Sequence, residues 1–355
     1  MAKTRLKTVA MAAFIAVALV SFASAQGPRN GTSGASYLLI PQGARYLSGG
    51  GATANAVGID AIYWNPAGLA RAEAGVSAIF SRRNYIADIG IDYFGAAVKF
   101  GRLGSVGIAA RIFDIGEIDV TDIYFPDGTG EKFTPNFFAV ALGYSKLISD
   151  RTSIGLNVNL LNEGFTGVVA TGMTLDAGVQ YSSFLNIPGL AIGVALKNFG
   201  TPMRYGGSRM WVEAAVSGSD RETEWYKITP GAFDMPFVMD IGLTYRLNLG
   251  MGHLDIGGTF ENNHSAQDEI RLLGEFTFGE LASVRFANMS ATSVSDNDNT
   301  PDVDESEIEN IWASYSFGAT LNLKQFTGLG LSIDYAFIAT KFFDDNQIFA
   351  LRLDL

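Results

Sequence analysis

Strict alternation of apolar and polar residues runs through most of the chain after residue 75. In residues 328–340, Ser332, Asp334 and Thr340 occupy even positions. The odd positions there are Leu329, Leu331, Ile333, Tyr335, Phe337 and Ala339. Similar alternation recurs in 152–162, 171–181, 239–249 and 254–261. A period of two over ten or more residues predicts a β-strand. About ten residues is also the length that a tilted strand needs to cross a bilayer.

Fourteen such segments follow one another, an even number, as in bacterial outer-membrane barrels. They are 75–84, 89–100, 104–115, 134–147, 152–163, 171–183, 188–199, 233–249, 252–263, 267–279, 281–290, 311–324, 327–341 and 345–355. The connections after even-numbered segments are short, whereas 116–133, 200–232 and 291–310 follow odd-numbered ones. Short turns at one side and long loops at the other are typical of periplasmic turns and extracellular loops. The sequence therefore predicts an all-β fold, a 14-stranded antiparallel transmembrane β-barrel over residues 75–355, with both termini periplasmic.

A soluble β-sandwich or propeller is the alternative explanation of the alternation. Sandwich strands run about five or six residues, and their outer face is polar. Charged residues make up only 17% of this chain, against about 25% in soluble domains. Tyrosines that an aromatic girdle would require recur within the segments: Tyr93, Tyr144, Tyr181, Tyr245, Tyr315 and Tyr335. The composition therefore favours an integral outer-membrane protein surrounded by outer-membrane lipid.

The first 25 residues have the features of a secretory signal peptide. Lys3, Arg5 and Lys7 precede the apolar run 9–20, and the small residues 23–25 form a cleavage site. Cleavage removes three positive charges and no negative ones, so the net charge of −11 becomes −14. The chain contains no cysteine, which excludes a disulfide framework.

Residues 26–74 precede the first predicted strand and are rich in glycine and alanine. We expect a short helix over Thr53–Ile62 that ends near Asn65, because a following proline restricts a residue to extended conformations. The segment is either a cap before the first strand or a plug. A plug would close the pore that a barrel of this size otherwise leaves open.

A motif in this segment resembles the N-terminal signature of the PorV/PorQ family of outer-membrane proteins, a branch of the FadL-like barrels. The matching residues are Gly43-Ala44-Arg45, Gly50-Gly51-Ala52-Thr53-Ala54, Asp60, Tyr63, Trp64, Asn65, Pro66, Ala67, Gly68 and Leu69. The resemblance implies that residues 26–74 form a hatch inside the barrel.

The resemblance implies two alternative functions. PorV-like members are associated with type IX secretion, which implies secretion-system proteins or exported proteins as partners. FadL members carry hydrophobic small molecules inward, which implies a hydrophobic ligand. Mixed polar residues are predicted to face the lumen and count against a wholly apolar conduit: Asp176, Gln180, Asp240, Arg246, Asp255, Glu261, Arg271, Glu275, Asp334 and Arg352. We expect no nucleic-acid partner.

Catalysis and metal binding have little support in the sequence. His253 and His264 are the only histidines, and no nucleophile elbow or metal-ligand spacing is present. We therefore expect no enzyme activity, no cofactor and no catalytic or metal site. The acidic stretch 295–309 invites a calcium hypothesis, but Pro301 stands where a calcium-binding EF-hand loop needs glycine. A solvated acidic loop is the simpler interpretation.

The predicted loop 200–232 contains large side chains that an exposed connection does not require. They are Met203, Tyr205, Met210, Trp211, Trp225 and Tyr226. Aromatic residues of this kind anchor protein interfaces, so the loop is a candidate surface for an extracellular partner. Packing of the loop over the barrel mouth is the alternative.

Overall fold

Antiparallel strands close into a barrel in a computed structural model, which describes residues 33–49, 53–215, 222–291, 315–340 and 343–355. Within these ranges fourteen strands form the wall, each paired with its neighbours in chain order, and the last pairs with the first. They are β1 Val76–Asn84, β2 Gly90–Lys99, β3 Ser105–Asp114, β4 Asn136–Leu147, β5 Thr152–Phe165, β6 Val168–Ser182, β7 Leu190–Gly200, β8 Val238–Asn248, β9 Gly252–Asn263, β10 Glu269–Phe278, β11 Ala282–Ala291, β12 Tyr315–Asn322, β13 Gly330–Ile338 and β14 Asn346–Asp354. The predicted architecture and strand order are confirmed.

The connections sort into two ends, as predicted. Those after even-numbered strands are short and define the short-turn end; the loops after β3 and β7 lie at the opposite, long-loop end. Two short strand pairs extend from these loops, Ile118–Asp119 with Lys132–Phe133 and Trp211–Ala214 with Glu224–Lys227. The strand predicted from residue 233 begins at Val238 instead. Pro236 cannot donate to a strand ladder, and the backbone of Phe233 pairs with Met203 in the loop.

Lipid-facing and lumen-facing residues alternate along the wall. In β13, Ile333 is 43% exposed on the outer face and its neighbour Asp334 is fully buried on the inner face. Tyr144, Tyr181, Tyr245, Tyr315 and Tyr335 also lie on the outer face. Tyr93 is the exception, because it lies buried on the lumen side at 3% exposure. The girdle prediction is therefore wrong for Tyr93.

The described part of the N-terminal segment lies inside the barrel. It contains the 3-10 turns Ser36–Leu39, Gly58–Asp60 and Pro66–Arg71 and the helices α1 Ala44–Ser48 and α2 Ala61–Trp64. Further single turns occur at Gly101–Leu103, Phe184–Asn186, Ser208–Met210 and α3 Lys324–Thr327. Among the described residues, no helix combines the length and the apolar character needed to span a membrane.

A single helix over Thr53–Ile62 was the wrong prediction for this segment. Gly58 has φ +71°, a conformation that no α-helix accommodates. The carbonyl oxygens of Thr53 and Ala56 accept hydrogen bonds from the wall side chain Gln180 instead. The signal peptide 1–25 and the acidic stretch 295–309 lie outside the described residues.

Candidate functional site: the lumen and its N-terminal segment

Asn65 joins the N-terminal segment to the barrel wall. It is extended, with φ −161° and ψ 106°, as predicted for a residue before proline. Its side-chain nitrogen lies 2.9, 3.1 and 3.4 Å from the carbonyl oxygens of Thr53, Val179 and Val194. Because Val179 and Val194 are paired across β6 and β7, one side chain holds the segment to two neighbouring strands.

The rest of the Asn-Pro-Ala-Gly-Leu motif forms a tight turn. Pro66 opens the 3-10 turn, a position where its missing N–H costs nothing. The Asn65 side-chain oxygen accepts the backbone N–H of Ala67 at 3.1 Å, which caps the turn. A Cβ at Gly68 would lie 1.8 Å from the carbonyl oxygen of Ala56. Only glycine fits there, and Leu69 beside it is buried.

The aromatic pair of the motif lies against cations of the wall. The Tyr63 ring centroid is 5.2 Å from the Lys197 ammonium and 5.2 Å from the Arg111 guanidinium. Arg271 lies 5.9 Å from the Trp64 ring. Cation–π contacts contribute about 0.5–2 kcal/mol, more when they are desolvated. The pair therefore stabilises the closed lumen by electrostatics as well as by packing.

Two of these cations, Lys197 and Arg271, belong to a buried ionic network on the inner face of β7–β10. The Lys197 Nζ lies 2.8 Å from Asp240 and 3.8 Å from Glu261. Arg271 contacts Glu261 at 3.0 Å and Glu269 at 2.6 Å. Because buried charges are costly unless paired, each carboxylate here depends on its cation. The predicted lumen-facing positions Asp240, Glu261 and Arg271 are confirmed.

A second ionic cluster connects the segment to β13 and β14. Asp60 accepts a short hydrogen bond from Arg352. Arg352 also lies 3.6 Å from Asp334, which in turn is 3.3 Å from Arg45 of α1. Thr320 donates to the same Asp334 carboxylate. The two halves of the segment, around Arg45 and Asp60, are thus held to the same pair of strands.

Glycines on the inner face of the wall let the segment approach its backbone. We call them the glycine belt: Gly95, Gly107, Gly143, Gly155, Gly178, Gly193, Gly242 and Gly318. A Cβ at Gly155 would lie 2.3 Å from the carbonyl carbon of Pro66, and one at Gly193 would lie 2.3 Å from the carbonyl oxygen of Thr53. The belt runs across successive strands from β2 to β8 and recurs on β12. It sets the close fit between segment and wall.

A packed cluster of apolar side chains, which we call the apolar chamber, fills the long-loop end of the lumen. Its residues are Tyr37, Leu38, Ile91, Phe113, Phe137, Leu161, Met203, Tyr205, Phe233 and Met235. The Tyr37 ring lies 5.1 Å from Phe113, edge to face, and 5.8 Å from Phe137. The Tyr37 hydroxyl is buried and has no hydrogen-bond partner among the residues that the structure describes. The N-terminal segment therefore places an aromatic ring in the chamber at the cost of an unsatisfied hydroxyl.

The candidate partner loop divides between the lumen and the outside. Met203 and Tyr205 close over the apolar chamber, and the Tyr205 hydroxyl donates to Glu163 of the wall. Trp211, Trp225 and Tyr226 lie on the outer strand pair and are 48%, 66% and 39% exposed. Packing over the barrel accounts for the first two residues. The three exposed residues, Trp211, Trp225 and Tyr226, are the ones that a partner outside the barrel could contact.

A small cavity and a larger vestibule adjoin the described part of the segment. A cavity of about 20 Å³ lies beside Tyr63, Asn159 and Lys197, enough for one or two water molecules. A vestibule of about 860 Å³ opens at the short-turn end. Charged side chains line it, among them Arg45, Arg71, Arg246, Asp255, Glu275 and Arg285. The lumen is thus apolar at one end and ionic at the other.

The two histidines lie at opposite ends of the barrel. His253 lines the vestibule with its Nε2 3.9 Å from Asp255, and His264 follows β9 at the long-loop end. Within the described ranges no group of three or more metal-ligating side chains is arranged to hold an ion.

The sequence missed the glycine belt and the apolar chamber. Glycines at inward positions of alternating strands, such as Gly155 and Gly178, were a usable signal for close packing against the wall. The chamber combines residues from the segment, four wall strands and a loop, among them Tyr37, Phe113 and Met203, and no local pattern links them.

No protein-family model matches the chain. Among curated proteins, none shows detectable sequence similarity. Solved structures do resemble it. The toluene transporter TbuX of Ralstonia pickettii is 12% identical, with a TM-score of 0.53, over 88% of this chain and 98% of that one. The toluene transporter TodX of Pseudomonas putida is 10% identical, with a TM-score of 0.51, over 88% and 96%.

The CymD monoaromatic hydrocarbon channel is also similar, at 11% identity and a TM-score of 0.50, over 91% of this chain and 96% of that one. At such identities the likeness concerns the fold alone, a closed antiparallel β-barrel. Together with the apolar outer face, the fold identifies the chain as an integral outer-membrane β-barrel, as the alternation predicted.

Proposed function

We propose that the protein admits small hydrophobic molecules through the outer membrane. In this proposal residues 26–74 are a hatch, residues 75–355 are the conduit, and the apolar chamber is the entry site. The apolar chamber carries the proposal, because sites for small ligands are lined mostly by apolar and aromatic side chains with few polar groups, and here the Tyr37 ring of the segment fills such a lining. The FadL-like fold supports it, since similar structures bear the names of toluene transporters and a hydrocarbon channel.

Tyr37 occupies the position that a hydrophobic ligand would take. Its ring is held between Phe113 and Phe137, but its hydroxyl has no hydrogen-bond partner within the described ranges. A buried donor left unsatisfied costs about 1–3 kcal/mol. An apolar ring without a hydroxyl would make the same aromatic contacts without this penalty, so it can compete with Tyr37 for the chamber.

Passage beyond the chamber requires movement of the hatch. The cavity beside Tyr63 holds about 20 Å³, far less than a hydrocarbon ring needs. The aromatic pair and the Asp60–Arg352 contact separate the chamber from the vestibule. Displacement of Tyr37 loosens the end of the hatch nearest the chamber, and the vestibule of about 860 Å³ provides space for the segment.

Substitution of Tyr37 by phenylalanine tests this proposal. The variant keeps the ring and removes the unsatisfied hydroxyl, so it should stabilise the closed hatch by about 1–3 kcal/mol and slow uptake. Radiolabelled toluene uptake by cells producing each variant is the measurement. Tyr144→Phe is the matched control, because the Tyr144 hydroxyl donates to Leu103 at the short-turn end. Uptake no faster than in cells without the protein would reject the function.

A surface role in secretion, as in the PorV/PorQ family, is the second candidate. The exposed strand pair with Trp211, Trp225 and Tyr226 favours it, because such aromatics anchor interfaces. Trp211→Ala with Trp225→Ala should then release exported proteins from the cell surface and leave toluene uptake unchanged. Unchanged retention of surface proteins would count against this role.

A further inference from the structure

The loop after β3 forms an ordered ribbon that projects from the long-loop end. Ile118–Asp119 pairs with Lys132–Phe133 at its base. At its tip the Asp122 carboxylate accepts the backbone N–H groups of Tyr124 and Phe125 at 2.7 and 2.8 Å. These bonds form an Asx turn, which fixes the backbone conformation of the tip.

The tip holds three consecutive large apolar side chains in solvent. Ile123, Tyr124 and Phe125 are 87%, 80% and 59% exposed. None of the three belongs to the apolar chamber, although the chamber lies at the same end of the molecule. Single exposed apolar residues are ordinary, but a contiguous group on a projection marks an interaction site.

The ribbon is strongly acidic around this tip. Residues 116–133 contain five carboxylates and one lysine, a net charge of −4. The carboxylates are Glu117, Asp119, Asp122, Asp127 and Glu131. Lys132 lies 3.3 Å from Glu117 and 4.0 Å from Asp119, so it is engaged within the ribbon. An anionic lipid surface would be repelled by this charge, whereas a cationic surface would be attracted.

We propose that the ribbon is a docking surface for a protein partner with an apolar groove flanked by lysine or arginine. The apolar tip supplies the anchor, and the carboxylates supply orientation and a fast encounter. The surface lies outside the lumen, so the inference is independent of the uptake function.

A pair of synthetic peptides tests the chemistry of the partner. One alternates leucine with lysine and the other alternates leucine with glutamate. Fluorescence anisotropy of each labelled peptide is measured against the folded protein in lipid nanodiscs. The lysine peptide should bind and the glutamate peptide should not. Ile123→Ser with Phe125→Ser, and separately Asp119→Asn with Asp127→Asn and Glu131→Gln, should each weaken binding about tenfold, a loss of about 1.4 kcal/mol.

A charge-matched variant at the opposite end distinguishes docking from general attraction to an acidic protein. Glu73→Gln, Asp150→Asn and Glu280→Gln remove the same charge from exposed residues at the short-turn end. This variant should bind the lysine peptide with unchanged affinity. An equal loss in both triple variants would overturn the proposal, and so would equal binding of the two peptides. Binding of phosphatidylglycerol vesicles through the tip would overturn it in favour of a lipid surface. Toluene uptake should be unchanged in the ribbon variants, whose substitutions lie outside the lumen.

Discussion

Gly155 on the inner face of β5 has no side chain, which allows the N-terminal segment to pack directly against the wall. A Cβ there would meet the backbone of Pro66 and Ala67 at 2.3 and 2.5 Å, and backbone atoms cannot move aside as a flexible side chain does. Gly155→Ala should therefore displace the Asn-Pro turn and raise single-channel ion conductance in planar bilayers. Gly274→Ala, at a lipid-facing position with no atom near the added carbon, should conduct like the unaltered protein. Equal conductance of both variants would mean that the turn does not close the lumen.

At the residue scale the alternation of the sequence predicted which side chains face the lumen. Asp240, Glu261 and Asp334 are buried where the pattern placed them. The pattern could not predict their partners, because Lys197, Arg271 and Arg352 come from neighbouring strands, and the alternation does not give the register between strands that brings each pair together. Tyr93 was placed on the wrong face because tyrosine is compatible with both a girdle and a buried lumen.

Each element of the N-terminal segment is fixed by the wall rather than by its own helix propensity. Helices α1 and α2 contain only five and four residues, too few to be stable alone. Their contacts with wall side chains and with the glycine belt provide the stability that such short helices lack. For this reason the sequence indicated an interruption at Asn65 and Pro66 correctly, but it could not predict the bounds of the helices.

Deletion of Thr53–Gly68 tests the segment as an element. The strands should persist, because their hydrogen bonds close among themselves around the barrel. Removal of the Asn65 contacts and the aromatic pair should open the lumen and raise conductance well above that of Gly155→Ala. Shortening the loop 121–128, which lies outside the lumen, is the control and should leave conductance unchanged. If the deletion conducts like the intact protein, the segment is a cap and not a hatch.

At the scale of the whole molecule, the period-two pattern was sufficient for the fold and insufficient for the function. Fourteen strands, an apolar outer face and an even alternation of turns and loops all derive from spacing that the chain displays locally. The function depends on what fills the lumen, and there the apolar chamber and the ionic vestibule occupy opposite ends. A list of lumen-facing residues taken from the sequence does not separate these two ends, so it describes the lumen as one surface of mixed polarity. This mixed polarity counted against hydrophobic uptake in the sequence interpretation, whereas the apolar chamber supports uptake.

The orientation of the whole barrel in the outer membrane follows from its two unlike ends. Loops as long as 115–135 suit the cell surface, and turns as short as 100–104 suit the periplasm. Because the chain has no cysteine, single substitutions give clean labelling sites. Asp127→Cys in the ribbon should react with a membrane-impermeant maleimide on intact cells, whereas Arg102→Cys should react only after the outer membrane is permeabilised. The reverse pattern would invert the barrel and place the apolar chamber on the periplasmic side, where it could not serve as an entry site for molecules from outside.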